Sequence, residues 1–323
     1  MIDFRYHIVS IAAVFLALAV GVVLGTTALN GPALDQVKRE ARNLRSDKQD
    51  LRRALEDSRS QVKEAEAFTA EITPALVAGR LAGQRVTLVA APDAPAGLGD
   101  GLAGTLRAAG ATVVSAVGLT PAYFDPARAS LLDDLVARLV PPGVALPKGT
   151  PTDRAAVELA AALADRPGRA PAVTDAARTA VLAGFREAGF LTTSGAAPAP
   201  ASLAVVLAPP PPRTGPGPVE QQAAQEADRR ASALVSLARA LDARAAGAAL
   251  AGPRGSAGVH GVVARLRGDA SAARAVSSVD VADTAGGRVA VVFALAGQAR
   301  GQAGQYGVGA GATGFLTRPQ PRA

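Results

Sequence analysis

Residues 8–29, IVSIAAVFLALAVGVVLGTTAL, decide the architecture of this chain. No charged side chain occurs between Ile8 and Leu29. Twenty-two helical residues rise roughly 33 Å, enough to cross a hydrocarbon core of ~30 Å. Asn30-Gly31-Pro32 follows and predicts a helix break. From Leu34 a heptad takes over. One seam position holds Leu34, Ala41, Lys48, Leu55, Val62, Thr69 and Leu76. The other holds Val37, Leu44, Leu51, Ser58, Ala65 and Ile72. Apolar residues at a mean spacing of 3.5 keep one seam on one side of a supercoiled helix. The pattern predicts a membrane helix running into a coiled coil.

A cleaved signal peptide is the competing reading of the apolar run. The run is long for that role, and no clear A-x-A site separates it from the heptads. An uncleaved single-pass anchor is therefore expected. Ala13, Ala17, Gly21 and Gly25 recur every fourth residue within it, and such a row of small side chains lets a second helix approach closely. Chance in an Ala- and Gly-rich helix would give the same row. The heptads that follow favour self-association. Lys48 and Ser58 weaken the seam but can set register and a low oligomer number. The alternative is a seam covered by the chain's own C-terminal domain.

The remaining ~240 residues suffice for one large domain or two small ones. Aromatic residues are 3% of the chain and Trp is absent, so the core must be built from Ala, Val and Leu. The net charge is +7, but only Lys38, Lys48, Lys63 and Lys148 of the 34 basic residues are lysines. That bias is compositional. Between Asp35 and Glu66, nine bases face eight acids, as on a solvated coiled-coil surface. Elsewhere single arginines are scattered without aromatic interleaving, so nucleic acid is not an expected partner. With no cysteine, disulfides are excluded.

Strand and helix patterns alternate through this region. Arg85–Ala91 reads as a buried strand, Leu98–Ala109 as a helix capped by Gly110, and Ala111–Val117 as a second strand. This βαβ unit implies a parallel pair. Helices are expected near Pro126–Leu139, Thr152–Ala164 and Thr174–Ala188, and a strand at Ser202–Leu207. An extended proline-rich loop begins at Pro209–Pro212. A long helix follows from Val219 to about Ala245. Strands are expected near Ala248–Ala251, Val259–Ala264 and Arg288–Leu295. The fold class is α/β: an N-terminal transmembrane helix, a long coiled-coil helix, then a mostly parallel α/β sandwich. The expected divisions are an anchor at 1–32, a coiled coil at 33–82, the α/β domain at 83–316 and a C-terminal tail at 317–323.

Candidate chemistry is sparse. Gly99, Gly101 and Gly104 match G-x-G-x-x-G, as do Gly309, Gly311 and Gly314. Gly99 lies eight residues beyond the first strand, too far to seat a pyrophosphate at the strand end, and both triplets read as turns. Ser256 and His260 are close in sequence, but no acid is placed to orient the histidine. Asp133 and Asp134 read as a solvated helix face. The only Met is Met1, and the only histidines are His7 and His260. Cu(I) prefers Cys and Met, and most transition-metal sites use His or Cys. His260 is the one candidate metal ligand of the domain and reads as a lone structural histidine. No cofactor and no catalytic residue are expected.

His7-Ile8-Val9-Ser10-Ile11-Ala12-Ala13-Val14-Phe15-Leu16 and the run on to Gly25 resemble the N-terminus of the actinobacterial MctB family, called copper transport proteins. The resemblance continues at Pro92-Asp93-Ala94, Ala251-Gly252, Gly255-Ser256-Ala257 and Ser278-Val279-Asp280. It ends at Gly304-Gln305-Tyr306-Gly307-Val308-Gly309-Ala310-Gly311-Ala312. It implies a membrane-anchored envelope protein with a role in copper efflux or homeostasis, assigned to the mycobacterial outer membrane. Members are also associated with cell separation. The resemblance carries no ligand set. Arg5 before the apolar run and Lys38, Arg39, Arg42 and Arg45 after it would by crude count hold the domain in the cytoplasm. Asp35 and Glu40 interleave those bases, and with the resemblance the large domain is placed outside the cytoplasm. One helix cannot form a pore alone. The competing function is a coiled-coil envelope scaffold or regulator that binds protein partners in cell-wall remodelling.

Overall fold

A computed structural model describes residues 4–29, 32–168, 171, 173–194, 199–212, 215 and 217–316 of the chain. Asn30 and Gly31 of the expected break, and the expected tail 317–323, lie outside the described residues. The chain divides into two compact units, residues 1–65 and 66–323.

The first unit holds helix α1 (Phe4–Leu29) and most of helix α2 (Pro32–Val77). Tyr6–Gly25 of α1 has a mean hydropathy of 2.8 and no side chain buried within the protein. Its length and composition fit a single-pass anchor. On α2, the heptad residues Val37, Leu44, Leu51, Leu55 and Val62 are all exposed, Leu44 and Leu51 each at 71%.

The last turns of α2 belong to the second unit. The Glu66 carboxylate accepts the backbone N–H of Ala285 at 2.7 Å, Thr73 and Val77 are buried, and Ile72 is half-buried. The helix ends at Val77, five residues before the boundary at 82, and Gly79 and Gly83 turn the chain with positive φ. Beyond them come β1 (Arg85–Ala90), α3 (Leu98–Ala108) and β2 (Thr112–Leu119). Helices α4 (Ala129–Leu139), α5 (Pro151–Leu163) and α6 (Asp175–Glu187) precede β3 (Leu191–Ser194) and β4 (Leu203–Leu207). Helix α7 (Pro218–Arg244) leads to β5 (Gly247–Ala251), α8 (Val262–Gly268), α9 (Ala270–Ala275), β6 (Ser277–Val279), α10 (Ala285–Gln298) and β7 (Gln305–Tyr306).

Among the described residues, seven strands run in the order β3-β2-β1-β4-β5-β6-β7. All neighbours pair parallel except β3, which lies antiparallel on β2 at one edge. Alternation along the strands sorts the core into two layers. Leu203, Val205 and Leu207 face α3 and α10, while Ala204 and Val206 face the layer that includes α5, α6, α7 and α8. The aliphatic composition sets how these layers meet. β5 is Gly-Ala-Ala-Leu-Ala, and a Cβ on Gly247 would overlap the Gln298 side chain, so α10 lies close on the sheet.

Two expected strands are helices. Arg288–Leu295 lies within α10, and Val262–Ala264 opens α8. The first segment is rich in Val and buried on nearly every side, so it carries no amphipathic period and its β-branched residues suggest a strand. Local capping decides otherwise: Thr284 Oγ1 accepts the Gly287 N–H at 2.9 Å, and Glu66 caps Ala285. Strands β3, β6 and β7, of four, three and two residues, were not expected.

Glu158 on α5 is fully buried, and among the described residues neither carboxylate oxygen has a hydrogen-bond partner. Burial pushes its pKa up to about 8. An acid with a raised folded pKa stabilises the fold below its unfolded pKa, and that contribution fades as pH rises to the folded value. The difference in stability between Glu158→Gln and the wild type should therefore grow in favour of the variant from about pH 4.5 to about pH 8, by up to ~1.4 kcal/mol per pH unit. Thermal unfolding of both proteins across that range checks it. A pH-independent difference would contradict it.

Candidate functional site

In open parallel sheets, ligands gather at the carboxyl ends of strands, where the strand order reverses. Here that point lies between β1 and β4. Residues 91–97 leave β1 there, and Pro209–Pro212 leave β4. Residues 252–261 leave β5, Asp280 leaves β6, and residues 307–311 leave β7. The sequence segments that carried the family resemblance within the domain thus meet along one edge of the sheet.

Asp280 organises one end of this edge. Its carboxylate accepts the backbone N–H groups of Val308 and Gly309, each at 2.9 Å, and pairs with Arg267 of α8 at 2.7 Å. Both charged side chains are buried, at 5% and 2% exposure. Arg267 donates further to Ser278 Oγ, Tyr306 O and Ala310 O. The charge is compensated and each guanidinium nitrogen donates, as a buried ion pair requires. A Cβ on Gly307, whose φ is +127°, would overlap Asp280 Oδ1, and one on Gly309 would crowd Ala257 and Asp280. One strand inward, Ser278 Oγ donates to Gln305 Oε1 at 2.6 Å, and Gln305 Nε2 donates to Ala273 O and Val276 O. Gly304 packs against the Tyr306 ring, and Gly311 turns with φ +74°. The Gly304–Gly311 segment therefore works as a clamp that fastens a two-residue edge strand.

The middle of the edge is more exposed and carries a different pairing. His260 Nδ1 lies 2.8 Å from Asp228 Oδ1 of α7. An acid therefore does orient His260, contrary to the sequence reading; it comes from 32 residues upstream, beyond any local motif. Asp93, just past β1, pairs with Arg230 at 3.5 Å, and Arg230 also pairs with Glu226. Asp93 and His260, with φ of 63° and 58°, are the only non-glycine residues at positive φ among the described residues. Both reach the same turn of α7. Ser256 does not complete a nucleophile arrangement, because its Oγ is buried without a hydrogen-bond partner among the described residues. Among the described residues, no three His, Cys, Asp or Glu side chains converge as a metal site.

A concavity of about 370 Å³ lies between α4, α5 and α7, lined by Tyr123, Phe124, Leu132, Pro151 and Arg229. Burial would raise the pKa of Asp153 at its rim, but hydrogen bonds from Ser236 and Thr150 outweigh it and lower the pKa. That carboxylate is structural: with Thr150 it forms the capping box of α5.

The other expected residues fall where the pattern put them in sequence, but not all in the expected setting. Gly99, Gly101 and Gly104 lie within α3 rather than in a turn. Asp133 is not merely solvated, since it pairs with Arg154 at 2.5 Å. Ala13, Ala17, Gly21 and Gly25 share one face of α1, with open space around both glycines. Leu76 is 45% exposed, and the side chain of Leu34 lies outside the described residues.

A family model described as "Copper transport outer membrane protein, MctB" matches residues 1–317. The chain is 32% identical over 322 residues to copper transporter MctB of Mycobacterium tuberculosis strain H37Rv, covering 97% of this chain and 98% of that protein. It is 31% identical over 338 residues to copper transporter MctB of Mycobacterium leprae strain TN, covering 99% and 100%.

Removing one partner of a buried ion pair costs about 3–5 kcal/mol. Arg267→Met should destabilise the domain by that order and expose the chain beyond α10 to protease. Gly307→Ala should give the same cleavage pattern. Thermal unfolding and limited proteolysis check this, and variants within about 0.5 kcal/mol of wild type would show that the clamp is not needed.

Proposed function

The chain belongs to the MctB family, and we propose that it acts in copper efflux or homeostasis as a non-catalytic, membrane-anchored envelope protein whose contribution is made through assembly rather than by holding copper. The large domain lies outside the cytoplasm in this reading. Self-association runs through α2 as a coiled coil, aided by the small-residue face of α1.

One observation carries the proposal. An uncharged 22-residue run leads into a helix whose heptad seam is exposed from Val37 to Val62. An exposed Leu on such a seam gains about 1.5–3 kcal/mol when buried. Copper, as the transported substrate, finds poor ligands here. Beyond Met1 the chain has no Met, it has no Cys, and its domain has one histidine, already hydrogen-bonded to Asp228. Carboxylates and backbone carbonyls are hard donors and poor partners for Cu(I). The same scarcity supports the second reading, a scaffold or regulator that binds cell-wall remodelling proteins.

Leu51→Asp with Leu55→Asp should abolish self-association in sedimentation of the detergent-solubilised protein. The same variant should lower copper tolerance to the level of a deletion strain, while His260→Ala retains it. Protease added to intact spheroplasts should remove the domain in all three proteins. Full tolerance in the Leu51/Leu55 variant with association lost would separate copper from assembly and favour the scaffold reading. A domain protected until lysis would reverse the topology.

A further inference from the structure

We infer that the partner of α2 is a second copy of this chain, aligned parallel and in register as a two-stranded coil; the inference rests on the self-association proposed above. The charges that flank the seam differ between its two edges. In the heptad abcdefg, with Leu34, Ala41, Lys48, Leu55 and Val62 at a and Val37, Leu44, Leu51 at d, the e positions are Lys38, Arg45, Arg52 and Arg59. The g positions of the first two heptads are Glu40 and Asp47. One edge of the seam is therefore uniformly basic over four heptads, and the other begins acidic.

Orientation follows from that asymmetry. In a parallel coil, each g side chain meets the e side chain five residues on in the partner, and such pairs set partner choice and orientation. Glu40 then meets Arg45 of the other copy, and Asp47 meets Arg52. Two-fold symmetry doubles both pairs. In an antiparallel coil, e faces e and g faces g, so the basic edge would lie along a second basic edge and the acids would face acids. Like charges so placed repel. A shift of one heptad in the parallel coil keeps these matches, since Lys38 and Arg59 are also basic, but it shortens the shared seam by a heptad and moves Lys48 away from Asp47 of the other copy, so the seam sets the register.

Lys48 strengthens the case. It sits at an a position, where a buried ammonium costs stability but selects a low oligomer number. In the parallel pairing the g residue beside it is Asp47 of the other copy, within reach of its flexible stem. The structure leaves these groups available. Lys48, Glu40, Arg45, Asp47 and Arg52 are exposed, and among the described residues none of the five takes part in an ion pair within the chain. By contrast Arg53 and Asp50, at the outer f and c positions, pair within the helix at 3.0 Å.

The absence of native cysteine makes the test direct. Leu44→Cys and Val62→Cys are prepared separately in the full chain and oxidised in native membranes. A parallel, in-register pair brings each cysteine against its own copy, so both variants should cross-link as dimers. An antiparallel pair can do so at one of these positions at most. Independently, Glu40→Arg with Asp47→Arg should raise the dimer dissociation constant at least tenfold in sedimentation. Adding Arg45→Glu and Arg52→Glu to the same chain should restore it, because the g-to-e pairs are then attractive again. A dimer in which only one cysteine cross-links, or whose affinity ignores the charge reversal, would overturn the parallel register and leave self-association standing. A wild-type chain that sediments as a monomer would overturn self-association itself.

Discussion

Asp280 is the carboxylate on which the carboxyl edge of the sheet is assembled. β6 has three residues and β7 two, too few ladder hydrogen bonds to hold an edge. The buried Arg267–Asp280 pair ties β6, α8 and the segment after β7 into one piece. α10 packs under that edge, and its N-terminus in turn receives Glu66 from the last turns of α2. The chain of contacts from the C-terminal segment to the foot of the long helix thus passes through one desolvated charge pair and one capped helix end.

The small-residue composition explains why polar side chains carry this much of the structure. With few aromatic rings, the core fills by close approach of helix to sheet, and Ala and Gly at β5 permit it. Close approach leaves little room at the sheet margin for large apolar anchors. Gln298, Ser277, Ser278 and Gln305 supply hydrogen bonds there instead, all buried and all paired. Glu158, like Ser256 Oγ, finds no hydrogen-bond partner among the described residues, and its burial is what keeps it protonated near neutral pH.

Much of the architecture was legible in residues 1–260 because long, periodic or uniformly apolar segments dominate them. The apolar run, the long helix and the strands at Arg85, Thr112, Leu203 and Gly247 were each signalled by length and pattern. The last sixty residues were not. α10 is buried on nearly every side, so its Val residues mimic a strand, and only the Thr284 and Glu66 caps betray a helix. β6 and β7 are held by Arg267 of α8 and by the Gln305 side chain donating to the α9 backbone, which no local pattern announces. The Asp228–His260 pair was invisible for the same reason: its members lie 32 residues apart on different elements. Gly307 was legible only as part of a resemblance. Its physical reason, a positive φ beside Asp280, needed the fold.

This chain offers few ligands for the copper that its family is named for. A dry Cu(I) site needs at least two soft or imidazole ligands, and within residues 33–323 only His260 qualifies. A dimer could supply a second His260, which is the one route to a two-coordinate site. The most direct measurement is competition for Cu(I) against a chelator, using the full chain and His260→Ala. The account predicts weak binding without defined stoichiometry in both. Sub-nanomolar binding in the wild type that disappears in His260→Ala would contradict it and make His260 a copper ligand.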